Sequence, residues 1–382
     1  MKPLPLDGLI VLEFSQYLSG PSAGLRLADL GARVIKIERP GVGDAGRKLS
    51  IKNLWADESS MLFHTINRNK ESFTADLRNA EELELVKRLI RKADVVTHNF
   101  RPGVMKRAGL DYTAVQQINP RIVYGEISGY GKVGPWKDKP GQDLLVQSLA
   151  GLMYTTGNDD NDPVPFGLSI ADSLCGAQLV QGILAGLIRR HKTGKGALIE
   201  VSLLESLLDF QFELLTTYHN GGQLPRRSSV NNGHPLLSAP YGLYATANGF
   251  IAIAMSDLAT LATALHCIEL ASYTAAHAFV NRDEIKRIIS AHVVQHSSQV
   301  WLAKLHEHHL WAMEVLDWKK LTGHTGYQHL RMEQTIHASN RKEIVTTRCP
   351  IRINGKILTS GKAAPGLGAH NEDIIQNLLN EN

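Results

Sequence analysis

Cysteine is scarce in this sequence and is not grouped. The three residues, Cys175, Cys267 and Cys349, are odd in number and far apart. That argues against a disulfide framework or a zinc site and suits a reducing cytoplasm. Charge of one sign is lacking too, with 41 basic residues against 37 acidic ones. A net charge of +4 is no footprint for nucleic acid, although it suits an anionic ligand where positive charges cluster. No apolar run reaches the ~18 residues that a membrane span needs. The opening Met-Lys-Pro-Leu-Pro-Leu-Asp-Gly has no apolar core of signal-peptide type. Neither a membrane nor a nucleic-acid partner is expected. There is no internal repeat and no low-complexity tract.

What is present reads as an ordinary globular chain. Its 382 residues leave room for two domains, and 43% hydrophobic with 20% charged residues is a usual balance. Leu9 to Phe14 is a short apolar run bounded by Gly8 and Ser15, a buried strand. Ser19-Gly-Pro-Ser-Ala-Gly24 turns into a helix over Leu25 to Leu30, closed by Gly31. Val34 to Glu38 is the next strand. Strand, glycine-rich turn, helix and strand make a βαβ unit of Rossmann type, although Gly20 and Gly24 do not fit the G-x-G-x-x-G fingerprint. Strands over Phe73 to Leu77, Asp94 to Phe100 and Ile122 to Ile127 continue the alternation, with an amphipathic helix over Glu81 to Lys92. The expectation is a mostly parallel α/β layer that binds its ligand beyond the carboxyl ends of the strands. Polar residues at that edge include Gln16, Ser19, Arg39, Asn99, Arg101, Ser128 and Tyr130. Arg39 suits an extra ribose phosphate there, or simply caps the sheet edge.

Val164 to Ala177 is apolar apart from Asp172. Small residues follow, then the apolar run Leu179 to Ile188, which reads as a buried helix. Asp172 has two readings. One is an N-cap that accepts backbone N–H groups. The other is a carboxylate nucleophile in a dry pocket, beside residues small enough to admit a substrate. Gly141-Gln-Asp143 begins a helix through Leu152. Lys192-Thr-Gly-Lys-Gly196 lacks the spacing of a P-loop and reads as a basic turn. Leu204 to His219 reads as one helix stopped by Gly221-Gly222.

Residues 220–240 are rich in Gly, Pro, Ser and Asn and read as a linker. Beyond it, Ala247-Asn-Gly249 turns a hairpin between Gly242 and Ala254. Helical patterns follow over Asp257 to Ala271, Asp283 to His296 and Gln299 to His309. His306, His308 and His309 do not fit a metal motif and read as a solvated helix end. Short strands and a polar helix close the chain. The expected organisation is a large Rossmann-like domain from residues 1–219 plus 330–382, and a smaller α+β domain over 241–329.

Several motifs in order resemble one family. They are Leu6-Asp-Gly-Leu-Ile-Val-Leu-Glu-Phe14 with Ser19-Gly-Pro21, Leu30 to Gly41 with Gly43-Asp44, and Asn67-Arg-Asn-Lys70. Asn99-Phe-Arg-Pro-Gly103, Ser128-Gly-Tyr-Gly131, Gly134-Pro135 and Ala364-Pro-Gly-Leu-Gly-Ala-His370 continue them. The chain resembles the class III coenzyme A transferases, the formyl-CoA and carnitine type. The resemblance implies an α/β fold, Rossmann-like with a smaller α+β domain, and an interlocked homodimer. It implies transfer of CoA from an acyl-CoA to a small carboxylic acid through an aspartyl-CoA thioester on Asp172. It places CoA contacts at Leu18, Ser19, Arg39, Ala75, Arg78, Asn99, Phe100, Arg101 and Arg107. It places the acyl and acceptor pocket at Gln16, Gln142 and Asp143. No metal or redox cofactor is implied beyond CoA as substrate.

Two alternatives share the scaffold. An α-methylacyl-CoA racemase needs an acid and a base on opposite sides of the α-carbon. Gln142 stands where that pattern has histidine, and Ala239-Pro-Tyr-Gly-Leu243 offers no carboxylate. A non-catalytic CoA-binding protein is the other, and the presence of Asp172 speaks against it. Where some class III members have a glycine-rich loop, this chain reads Met255-Ser-Asp-Leu258.

Overall fold

Four consecutive residues with little or no exposure, ending in a buried glutamate, make Ile10–Glu13 the first strand, β1. In the computed structural model, which describes residues 3–221, 223–224, 226–340 and 342–380, it becomes the centre of a sheet. Helix α1 (Ser19–Asp29) leads to β2 (Arg33–Glu38), and α2 (Met61–Asn67) leads to β3 (Glu71–Thr74). Then come α3 (Ala80–Lys92), β4 (Val95–His98) and β5 (Val123–Ser128). Helix α4 (Asp143–Leu149) and the long α5 (Ile170–Thr193) precede β6 (Ala197–Ser202). All pairings among these strands are parallel, in the order β3-β2-β1-β4-β5-β6. The order reverses between β1 and β4, and the crevice at such a reversal is where doubly wound sheets take ligands.

The chain divides into two compact units. The first comprises Met1–Val146, Ser169–Phe210 and His329–Asn382, and the second Gln147–Leu168 and Gln211–Gln328. In the first unit, Leu12, Phe14, Ile35, Ile37, Phe73 and Val96 pack with Val86, Leu89 and Ile90 of α3. Ile374, Leu378 and Leu379, from the end of the chain, join that core.

Helix α5 extends well beyond the apolar run Leu179–Ile188, to 24 residues. Among the described residues it is the one helix long and apolar enough to cross a membrane by length and composition. This corrects the expectation that no segment reaches that length. Its buried face, which includes Leu179, Val180, Ile183 and Gly186, packs within the first unit. An ideal Cβ at Gly186 would lie 2.9 Å from Val123, and one at Gly182 would lie 2.5 Å from Ile199. The helix can therefore lie flat on β5 and β6.

The expected helix over Leu204–His219 is two, α6 (Leu203–Phe210) and α7 (Phe212–Gly221). The break falls at Gln211, whose side chain donates to the Ala150 carbonyl at 3.1 Å. Gly222 lies outside the described residues.

In the second unit, β7 (Gly242–Thr246), β8 (Gly249–Ile253) and β9 (Ala312–Glu314) form an antiparallel sheet with β8 in the middle. Tyr244, Ile251 and Ile253 pack on Leu261, Ile285, Ile289 and Trp301 from the helices between β8 and β9. The helix expected over Asp257–Ala271 stops at Leu265, where His266 adopts a left-handed conformation with φ 53°. Cys267, Glu269 and His292 bring their ligand atoms within 4.8 Å of one another, a proximity that spacing did not suggest. The Cys267 thiol donates to Glu269 at 3.5 Å. His306 is exposed at its helix end, as expected, and its imidazole also bonds the Ala312 carbonyl of β9 at 2.8 Å.

Candidate active site

The turn after β1 is tied to the end of β4 by two hydrogen bonds. Gln16 donates its backbone N–H to Asn99 Oδ1 at 2.8 Å, and its carbonyl accepts from Asn99 Nδ2 at 2.7 Å. Asn99 follows β4, so this pair closes across the sheet reversal. Tyr17 is left-handed, with φ 63°, and donates its N–H to Asp44 Oδ1 at 3.1 Å. An ideal Cβ at Gly20 would lie 2.2 Å from Ser15 Oγ, so only glycine lets the chain double back this tightly. Helix α1 then starts at Ser19 with no side-chain cap. The Ser19 and Gly20 N–H groups precede the first intrahelical donor, Ser22, which bonds the Leu18 carbonyl. Such a helix start favours negative charge.

Asp172 faces this turn. It is the third residue of α5, not its N-cap, which is Ser169. The capping relationship is the reverse of the one its sequence suggests: Asp172 donates its backbone N–H to Asp143 Oδ2 at 3.0 Å. Ser19 lies beside its carboxyl and favours the ionised form. Burial, reinforced by the Asp143 charge and opposed by Ser19, lifts the Asp172 carboxyl from 3.8 to about 6. At neutral pH it is still mostly ionised but poorly solvated, the condition of a reactive carboxylate.

The small residues after Asp172 serve packing more than access. An ideal Cβ at Gly176 would lie 2.3 Å from Ser22 Oγ and 2.7 Å from the Ser19 carbonyl. Gly176 thus lets α1 and α5 touch and sets the distance between Ser19 and Asp172. Ala171 and Cys175 are fully buried, and burial pushes the Cys175 thiol up to about 12, which leaves it unreactive.

Gln16, Leu18, Ser19, Asn99, Asp143 and Asp172 form one connected group. The remaining predicted residues surround it unequally. Arg39 follows β2, Arg101 follows β4 and Arg107 ends a short helix; all three are exposed. They make no ion pair among the described residues. Arg78 is exposed but held two-pronged by Asp76, at 3.0 and 2.8 Å. Ala75 is buried in the core, with its N–H on the Glu38 carbonyl at 2.9 Å. Phe100 stacks on His98 with ring centroids 6.2 Å apart. Gln142 is exposed, and its carbonyl accepts from Val146 N–H at 3.0 Å.

Sequence reasoning missed an ionic cluster beneath the turn. Glu13, Lys36 and Lys70 are fully buried. Lys36 Nζ lies 2.9 Å from Glu13, 2.8 Å from Asp44 and 2.7 Å from the Ser15 carbonyl. The available signal was a lysine inside the apolar strand Val34-Ile-Lys-Ile and a glutamate ending another.

The model of CoA-transferase family III matches residues 6–371. The chain belongs to this family. A succinyl-CoA:glutarate CoA-transferase of Mus musculus is 30% identical over 98% of this chain and 86% of its own. An acetyl-CoA:oxalate CoA-transferase of Acetobacter aceti is 39% identical over 63% of this chain and 60% of its own. Among solved structures, a CAIB/BAIF family protein of Brucella suis superposes with a TM-score of 0.85 at 30% identity. That match covers 98% of this chain and 99% of the Brucella chain. As a family III CoA-transferase, the chain is an enzyme that moves CoA from an acyl-CoA to a carboxylic acid.

Proposed function

We propose that Asp172 is the covalent nucleophile of the transfer and that the uncapped start of α1 stabilises the charge that develops on the thioester oxygen. The observation that carries this reading is the Asp172 carboxyl held against Ser19, with its backbone N–H fixed by Asp143. One Asp172 oxygen attacks the donor thioester carbonyl. The C–S bond breaks, CoA leaves as thiolate and an aspartyl anhydride forms. The thiolate then attacks the aspartyl carbonyl and expels the donor acid as its carboxylate, leaving an aspartyl-CoA thioester. The acceptor carboxylate attacks this thioester and releases the thiolate again. A final attack by the thiolate on the acceptor carbonyl frees Asp172 and gives the new acyl-CoA. Every step exchanges an acyl group and none changes oxidation state, so no redox cofactor is called for. Pre-positioned N–H donors and a desolvated nucleophile are what such steps require.

The arginines at the strand ends, Arg39, Arg101 and Arg107, are the proposed partners of the CoA phosphates, because guanidinium groups offer charged, multidentate donors. Gln16, Gln142 and Asp143 are the proposed wall of the acyl and acceptor pocket. A small mono- or dicarboxylic acid is the proposed acceptor, in keeping with relatives named for glutarate and oxalate. An interlocked homodimer and a cytoplasmic location complete the reading, the latter supported by three free, buried cysteines.

The test is a panel of acyl-CoA donors and carboxylic acids assayed for CoA exchange. Wild type exchanges CoA, and Asp172→Ala loses exchange while still binding CoA. Hydroxylamine added during turnover labels the peptide that carries Asp172. Full exchange in Asp172→Ala, or an unlabelled peptide, would sink the nucleophile.

A further inference from the structure

The segment Asn67-Arg-Asn-Lys70 joins α2 to β3 and has its polar partners outside the residues assigned to the chemistry, yet it grips both ends of α1. At the far end, Arg68 is 1% exposed and holds Asp29 with both prongs, at 2.5 and 2.9 Å. Asn69 donates to the Ala28 carbonyl at 3.0 Å. At the near end, Lys70 Nζ donates to the Pro21 carbonyl at 2.8 Å, in the first turn of α1. The same ammonium meets Glu13 of β1 at 2.8 and 3.1 Å and Asn67 Oδ1 at 2.9 Å. The helix has no slack on this side: an ideal Cβ at Gly24 would lie 1.7 Å from Glu13 Oε2 and 3.2 Å from Lys70 Nζ. On the side of α5, an ideal Cβ at Gly176 would lie 2.3 Å from Ser22 Oγ and 2.7 Å from the Ser19 carbonyl.

A buried ion pair is a poor source of net stability, since apolar residues of similar volume often serve as well. What it supplies is direction: Lys70 has donors satisfied by three separate elements, so no element shifts without breaking a charged hydrogen bond. Glu13 passes the constraint to Lys36, which holds the Ser15 carbonyl at the start of the active-site turn.

We propose that Asn67–Lys70 is a clamp on α1 and that Lys70 is a positioning residue for CoA transfer, holding Ser19 and the N–H groups at the start of α1 in register with Asp172. The inference rests on the proposed role of Asp172.

Lys70→Met removes the charged head and keeps the stem. Arg68→Lys keeps the charge at the other end and loses the two-pronged grip. In the full-length folded protein, Lys70→Met is expected to lower kcat for CoA exchange about 100-fold, the usual order for reacting groups misplaced by ~1 Å. Its dissociation constant for free CoA changes by less than about threefold, because a loss confined to the transition state appears in kcat. Hydroxylamine labelling of Asp172 slows in parallel. Arg68→Lys is expected to lose about tenfold in kcat with the same CoA affinity, and it carries the test should Lys70→Met fail to fold. Unchanged kcat in the folded variants overturns the proposal. So does a loss of CoA affinity large enough to account for the whole effect. Asp172→Ala run alongside keeps the two ideas apart: exchange retained there removes the role of Asp172, whatever the clamp variants do.

Discussion

The carboxylate of Asp143 accepts the backbone N–H of Asp172 at 3.0 Å, so the residue that fixes the proposed nucleophile also sets a like charge beside it. Position and reactivity are therefore coupled. The acid limb of the pH profile for kcat/KM is expected near pH 6, where Asp172 takes up its proton and stops being a nucleophile. Asp143→Asn retains an acceptor for the N–H but removes the charge, so the limb moves to lower pH. A profile of exchange between about pH 4.5 and 8 checks this; a limb that stays in place in Asp143→Asn contradicts it.

The same coupling costs stability. The folded protein holds the Asp172 proton more tightly than the unfolded chain, about 6 against 3.8. Stability therefore falls as pH rises across that window and stays lower above it. Asp172→Asn removes the penalty, worth roughly 2–3 kcal/mol at neutral pH at ~1.4 kcal/mol per tenfold. Urea unfolding at pH 7.5 should show the variant more stable than wild type, with the gain shrinking at pH 4.5.

Gly176→Ala places a methyl group 2.3 Å from Ser22 Oγ and 2.7 Å from the Ser19 carbonyl. The helices must separate, at a cost of about 1–3 kcal/mol typical of overpacking. Exchange should fall further than stability alone explains, because the Ser19–Asp172 distance widens. Thermal unfolding and kcat measured on the same sample separate the two effects.

Asn99→Ala strips both hydrogen bonds from the Gln16 backbone. Leaving such groups without partners costs about 1–3 kcal/mol. The KM for the acyl-CoA donor should rise about tenfold as the turn loses its shape, a loss of uniform binding with a smaller change in kcat. Asn99→Asp retains an acceptor for the Gln16 N–H but loses the donor, so it should fall between the two.

Arg39→Ala should weaken CoA binding more than Arg78→Ala. Arg78 is already occupied by Asp76, whereas Arg39 makes no ion pair among the described residues. Titration of free CoA at two salt concentrations checks the order, since a phosphate contact is weakened by salt.

Much of the fold was legible because it depends on local patterns. The strands at Leu9–Phe14, Val34–Glu38 and Asp94–Phe100 appear within a residue or two of their apolar runs, as does the hairpin on Asn248-Gly249. Helix ends were less legible. Leu204–His219 keeps its apolar periodicity across a break at Gln211, and nothing in the periodicity announces the bond from Gln211 to Ala150. At the site, Asp172 stood out as one carboxylate in an apolar stretch. Asp143 entered as a pocket residue through the family resemblance, but its hold on Asp172 was not legible, because its partner is a backbone N–H that no side-chain pattern encodes.

The sequence by itself determined which segments become strands, that they alternate with helices, and that one carboxylate lies in apolar surroundings. These follow from hydrophobic period and turn chemistry, which act over a few residues. Only the tertiary structure decided what that carboxylate meets. Ser19 comes from one βα turn, Asp143 from another helix, and the Gly176 contact sets the distance between α1 and α5. The burial of Glu13, Lys36 and Lys70 was decided there too, since a charge becomes affordable inside only when its partners arrive from other elements.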